Sequence, residues 1–149
     1  MSFRDALAAL RPVAIRKYTL DGVHVNAEEP VILDCRHAGF SNPGLTGAQL
    51  KSFNARRKQR GSTDVSIETM EVNRKLDAKV FAEHVVVGWG NVCEEGPGKP
   101  TPLSPAKVEE FLLALGEMRI DLFRGFTDWA SNADNFTDVP AGDPVDLGK

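Results

Sequence analysis

Residues 85–136 read VVVGWGNVCEEGPGKPTPLSPAKVEEFLLALGEMRIDLFRGFTDWASNADNF, an apolar run, a turn-rich loop and two short helices. The run Val85–Gly90 ends in two glycines that flank Trp89, and the reading is a turn that lays Trp89 against the helices that follow. The loop 91–103 is so rich in Gly and Pro that neither a helix nor a central strand can continue through it. Ser104-Pro105 then reads as a helix start, with Ser as the N-cap and Pro at the first helical position, where a missing N–H costs nothing.

Val108, Phe111, Leu112 and Leu115 follow at helical spacing, with Lys107, Glu109 and Glu110 off that face. Gly116 stands where a C-terminal cap belongs, so the first helix is expected over 105–115. A second is expected over 117–133, with Met118, Leu122, Phe126, Trp129 and Ala133 in one stripe. Trp89, Phe111, Leu112, Leu122, Phe126 and Trp129 are the expected structural core.

Working outward to the N-terminal side, Phe3, Ala6, Leu7 and Leu10 repeat at helical spacing behind a Ser2 cap and stop before Pro12. So short an amphipathic helix (residues 1–11) needs a surface to lie on, its own domain or a partner. The β-prone runs 13–20 and 23–26 are separated by Asp21-Gly22, a hairpin signal, and VILDC at 31–35 reads as a third strand. In that strand Val31, Leu33 and Cys35 share one face. The expectation for 13–35 is a small antiparallel sheet. Helices are expected near 48–60 and 65–83, and whether the second continues into Val85–Val87 is left open by periodicity. The first ends in Arg56, Arg57, Lys58 and Arg60, read either as a solvated helix end or as a patch for an acidic partner surface. The tail 137–149 has two prolines and two glycines and reads as flexible. The fold class is therefore α+β, one domain over 1–136: a small N-terminal antiparallel β-sheet, then a mainly helical bundle over 46–136, then a flexible C-terminal tail.

Composition narrows the function. The chain has 149 residues, 42% hydrophobic and 26% charged, enough to bury a core without staples. A net charge of −3 gives no global basic field for nucleic acid or acidic lipid. No apolar run approaches the roughly 20 residues of a membrane span. Cys35 and Cys93, far apart and outside any CxxC motif, suit reduced thiols, and the expected location is the cytoplasm.

No catalytic motif stands out: there is no P-loop, GxSxG elbow or HExxH. Cys35 and His37 fall on one face of a strand, with His24 on the run before it, and the three can meet one zinc ion or form a thiol site. A fourth ligand or an orienting group is missing, so the expectation is a non-enzymatic protein with no catalytic residues, cofactor or metal. His84, at a helix end, reads as a partly buried structural histidine.

One succession of motifs adds to this. Asn73-Arg74-Lys75-Leu76 is followed by Val87-Gly88-Trp89, a Gly-containing loop, Pro102-Leu103-Ser104, a Leu-rich helix and Ala130-Ser131-Asn132-Ala133-Asp134-Asn135-Phe136. The order resembles tail assembly chaperones of long-tailed bacteriophages, over residues 30–136. Members of that family usually have Glu after the Trp, where this chain has Gly90, and their loop is shorter. The resemblance implies a small adaptor in the host cytoplasm that binds the phage tape-measure protein and recruits tail-tube subunits during tail morphogenesis. A structural tail or connector (tail-completion) protein of the virion is the alternative reading, and a small metal or thiol enzyme on His24, Cys35 and His37 is a third.

Overall fold

The computed structural model describes residues 2–39, 41–42, 44–47 and 67–137. Helix α1 (Phe3–Leu7) runs on as a 3-10 turn over Ala8–Leu10. Strands β1 (Arg16–Leu20) and β2 (Val31–Cys35) follow, then α2 (Ile67–His84), β3 (Val86–Gly90), α3 (Pro105–Met118), α4 (Ile120–Ser131) and a closing 3-10 turn, Ala133–Phe136. The three strands form one antiparallel sheet in the order β1-β2-β3. The α+β class expected from the sequence is the one observed.

Alternation explains the sheet. Val31, Leu33 and Cys35 of β2 are buried on one face, and their cross-strand partners Leu20, Tyr18 and Arg16 share it. Lys17 on the other face is paired across the ladder with Asp34, Nζ to Oδ1 at 2.7 Å. The third strand is a correction. The run 23–26 does not fold back on β1. Gly22 takes φ +83, Val23 N–H donates to Leu20 O, and Val25 forms only an isolated bridge with Val92. The edge of β2 is taken instead by β3, with a bulge between Asp34 and Cys35. Thus Val85–Val87 does not extend the helix: α2 stops at His84 and the valines turn into the sheet. The Gly88-Trp89-Gly90 segment is strand, not turn. Gly88 lies opposite Asp34, and a Cβ there would stand 2.6 Å from Asp34 Oδ2, so glycine leaves room for the carboxylate that pairs with Lys17.

The helices cover the buried face of the sheet. Ala78, Phe81 and Ala82 of α2, Val108, Leu112 and Leu115 of α3, and Phe123, Phe126 and Ala130 of α4 meet it in one core. Tyr18 joins sheet to helix, its ring centroid 5.4 Å from Phe126 and 4.9 Å from Trp129. Burial, and then the nearby Asp21 charge, raise the Tyr18 pKa. The expected core residues Leu112 and Phe126 are fully buried. Trp89, Phe111, Leu122 and Trp129 are half-buried and packed against the core.

Two boundaries differ from expectation. Ser104 does cap α3, its Oγ accepting from Lys107 N–H at 3.2 Å. The helix, however, passes through Gly116 and ends at Met118, with Arg119 between it and α4. Gly116 is a contact residue: a Cβ on it would lie 2.9 Å from Arg74 Cδ, so its bareness lets α2 and α3 approach. The stripe of α4 is also rotated by one residue. Phe123, Phe126 and Ala130 are buried, while Met118, placed in the stripe from its spacing, is 78% exposed. The mobility expected of 137–149 and the helix expected near 48–60 fall on or run into residues outside those described.

Candidate functional site

The residue groups weighed in the sequence fare differently. Arg56, Arg57, Lys58 and Arg60, the candidate partner-binding residues, lie outside the described residues. His24, Cys35 and His37 are described, and each side chain is engaged or buried separately. Cys35 is fully buried in the central strand, and burial, then the neighbouring Asp34, push its thiol up to about 12. A thiol held protonated at neutral pH is a poor nucleophile and a poor metal ligand. The His37 ring is buried with both nitrogens engaged, Nδ1 with Ser41 Oγ at 2.9 Å and Nε2 with the Ser131 carbonyl at 3.1 Å. His24 Nδ1 turns to its own loop, 3.2 Å from Ala27 O. Among the described residues no group of three or more His, Cys, Asp or Glu is placed to hold a metal ion.

His37 belongs to a polar knot at the C-terminal ends of α2 and α4. Buried Asn42 donates from Nδ2 to the carbonyls of His84 (2.7 Å) and His37 (3.3 Å), and its Oδ1 accepts from Leu45 N–H at 3.4 Å. Ala38 N–H donates to Ala130 O at 2.7 Å. Asn42 thus satisfies the His84 carbonyl, which the end of α2 leaves without an intrahelical donor. His84 is partly exposed, its Nε2 3.7 Å from Glu83 Oε2. Neither Asn42 nor Ser41 stands out in sequence, since a polar residue in a turn-rich segment ordinarily reads as solvated loop.

A concave surface lies at the other end of the same helices. A groove of about 530 Å³ opens between the first half of the described part of α2, the α3–α4 junction and α4. Phe123 and Ile120 give it an apolar floor, and Glu71, Arg74, Glu117 and Arg124 stand around it. Phe123 is buried, whereas Ile120 is 40% exposed. Arg74 is held in place: its Nη1 donates to Leu113 O at 3.0 Å and its stem lies on Gly116. At the junction Arg119 grips Asp121 with two hydrogen bonds, of 3.0 and 2.8 Å. That contact lowers the Asp121 pKa and raises that of Arg119. The lining is mostly polar and charged, with Ile120 as the apolar side chain open to a partner, an arrangement that an amphipathic segment can meet. Its residues Arg74, Gly116, Ile120 and Phe123 are brought to one place only by the helix packing.

A second apolar surface lies at the N-terminal side. Residues 3–15 form an arm whose large apolar side chains stand in solvent: Phe3 is 88% exposed, and Leu7, Leu10, Val13 and Ile15 are more than half exposed. The arm does not lie on the domain that carries it. Among the described residues it is tied at its base, where Ala14 N–H donates to Phe136 O at 3.0 Å.

Among known proteins, the model of the YdaY prophage protein family matches residues 47–144, and the chain belongs to that family. The match takes in α2, β3, α3 and α4, and with them the whole groove, but not β1 and β2. No curated protein and no solved structure matches the chain.

Proposed function

As a member of the YdaY prophage protein family, and so of phage derivation, this chain is, we propose, a tail assembly chaperone that holds a helical segment of the phage tape-measure protein in the α2–α4 groove. The groove is the observation that carries the reading. Ile120 over buried Phe123 gives it an apolar contact for one face of an amphipathic helix, and the charged residues around them can pair with that helix's polar side. The resemblance of residues 30–136 to tail assembly chaperones names the partner. Recruitment of tail-tube subunits follows from the same resemblance, and the role is non-enzymatic, carried out in the host cytoplasm.

The test is co-expression of the tape-measure protein with this chain or with an Ile120→Glu variant. Ile120 is partly exposed on the groove floor, so the variant keeps the fold and places a charge in the apolar contact. The expected result is soluble tape-measure protein with the natural chain and a several-fold loss with the variant. Equal solubility with and without the natural chain would refute the chaperone reading. Finding the chain at fixed stoichiometry in finished particles would favour a tail or connector component instead.

A further inference from the structure

A smaller cleft, of about 150 Å³, lies where α3 meets the turn-rich loop 91–103 and the run 23–26. Val25, Trp89, Val92, Phe111 and Ala114 line it. We propose that this cleft docks one phenyl-sized apolar side chain of a partner protein, carried beside a cationic residue. The site shares no lining residue with the α2–α4 groove and does not depend on the tape-measure reading.

Size picks out a side chain. A volume of about 150 Å³ holds one benzene-sized group. Sites for cofactors and other small molecules run to roughly 300–1,000 Å³, so a single anchoring side chain fits where a whole ligand does not. The lining makes that side chain apolar. The half-buried rings of Trp89 and Phe111 meet edge to face, centroids 6.2 Å apart. Polar groups of the wall are already engaged: Trp89 Nε1–H donates to Thr101 O at 2.9 Å, and Thr101 Oγ1 accepts from Glu94 N–H at 2.8 Å. Little is left for an ordered water, which needs about two to four polar partners.

Charge supplies the neighbour. Glu94 and Glu110 share one cation, Lys107 Nζ, at 2.7 and 3.5 Å, so the rim holds two carboxylates and one ammonium, net −1. Glu110 has the longer contact and a side chain 61% exposed, so its carboxylate is the one open to a cation on the incoming segment.

The walls are fixed before anything binds. Asn26 and Asn91, at φ +56 and +63, are the non-glycine residues with positive φ among those described. Both tie the two loops together: Asn26 Nδ2 donates to Cys93 O at 2.8 Å, and Asn91 Nδ2 to Pro30 O at 2.9 Å. Cys93 N–H donates to Val25 O at 3.0 Å between them. An uncommon backbone conformation at two places, both serving this wall, suits a preorganised contact.

The test is an NMR titration of the whole chain with three capped dipeptides: acetyl-Phe-Arg-amide, acetyl-Phe-Glu-amide and acetyl-Ser-Arg-amide. The Trp89 indole N–H reports on the cleft, and that of Trp129, packed on Tyr18 and Phe136, is the control. The Phe-Arg probe should shift Trp89 saturably, with a Kd on the order of 1 mM, and leave Trp129 in place. The Ser-Arg probe lacks the anchor and should bind at least about tenfold more weakly. The Phe-Glu probe meets like charge and should bind about threefold more weakly. Ala114→Leu fills the mouth and should weaken the Phe-Arg probe at least about tenfold. Glu110→Lys leaves one carboxylate and two ammonium groups on the rim, net +1, and should reverse the preference between the Arg and Glu probes. Both positions are exposed, and an unchanged melting temperature confirms the fold of each variant. No saturable shift of Trp89 with the Phe-Arg probe would overturn the site. Undiminished binding in Ala114→Leu would overturn its placement, and a preference for Arg that survives Glu110→Lys would overturn the cationic neighbour. Tighter binding of phenethylamine than of the Phe-Arg probe would make the occupant a small aromatic amine and overturn the protein segment.

Discussion

The two ends of the described chain carry nearly the same device with opposite fates. At one end Ser2 caps a short helix beginning at Phe3; at the other Asn132 Oδ1 accepts from Asp134 N–H at 3.1 Å and caps a 3-10 turn ending at Phe136. Both turns are too short to be stable alone. Phe136 is fully buried, its ring centroid 4.9 Å from Trp129 and 5.6 Å from His37, while Phe3 is 88% exposed. A cap and an apolar residue at the right spacing therefore specify a turn, not its burial. Burial is decided by whether a pocket waits, here one built by Trp129 and His37 from distant parts of the chain.

The largest consequence is energetic. Phe136→Ala should cost about 3–5 kcal/mol of unfolding free energy, the range for deleting a buried Phe. Phe3→Ala should stay within about 0.5 kcal/mol of the natural chain, as surface substitutions do. Chemical denaturation checks both. A large loss for Phe3→Ala there would place the arm on its own domain and end the contrast.

The same distinction marks how far the sequence could be read. Elements whose signals are local were legible: the Ser104-Pro105 start of α3, the VILDC alternation of β2 and the existence of two helices after residue 104. What failed depends on partners. Asp21-Gly22 is a sound turn, but pairing with β3 across a long separation fills the sheet in place of Val23–Asn26. Gly116 has the chemistry of a helix end, yet serves close approach of Arg74 from another helix. Met118 keeps the period of the stripe but lies beyond the surface that the stripe covers. The groove was legible only in fragments for the same reason. Its floor and rim come from α2, α3 and α4, and no spacing within one helix announces it. The basic residues at 56–60, which do announce themselves, fall outside the described residues.

The caps sharpen the contrast on a smaller scale. Losing an N-cap side chain costs about 0.5–2 kcal/mol where the capped turn is part of the cooperative fold. Asn132→Ala should therefore lower global stability by about 1 kcal/mol, because its turn carries buried Phe136. Ser2→Ala should leave the denaturation midpoint unmoved, because α1 can fray without opening the core. Equal midpoints for the two variants would mean that the closing turn is as detachable as the arm.

The smallest effect concerns a contact exposed on both sides. Lys107 Nζ stands 2.7 Å from Glu94 Oε1, joining the turn-rich loop to the start of α3. The hydrogen bond from Lys107, and then its charge, hold the Glu94 carboxyl below its ordinary 4.5; the bond to Glu94 raises Lys107 above its ordinary 10.5. For Glu94 the depressed value means that the contribution is present above 4.5 and is lost as pH falls through the lower folded value. For Lys107 the raised value means that it is present below 10.5 and is lost as pH rises through the higher one. Between those limits Lys107→Met should lower the melting temperature slightly, and at strongly acid pH natural chain and variant should melt together. High salt should shrink the neutral-pH difference, since both groups face water and are screened. If exposed contacts count for as little as Phe3 suggests, this difference stays the smallest of the three. A penalty at neutral pH that matched the loss in Asn132→Ala and persisted in salt would show that the loop is fixed by the ion pair. It would then owe less to Trp89 Nε1–H, which donates to Thr101 O at 2.9 Å from the half-buried side.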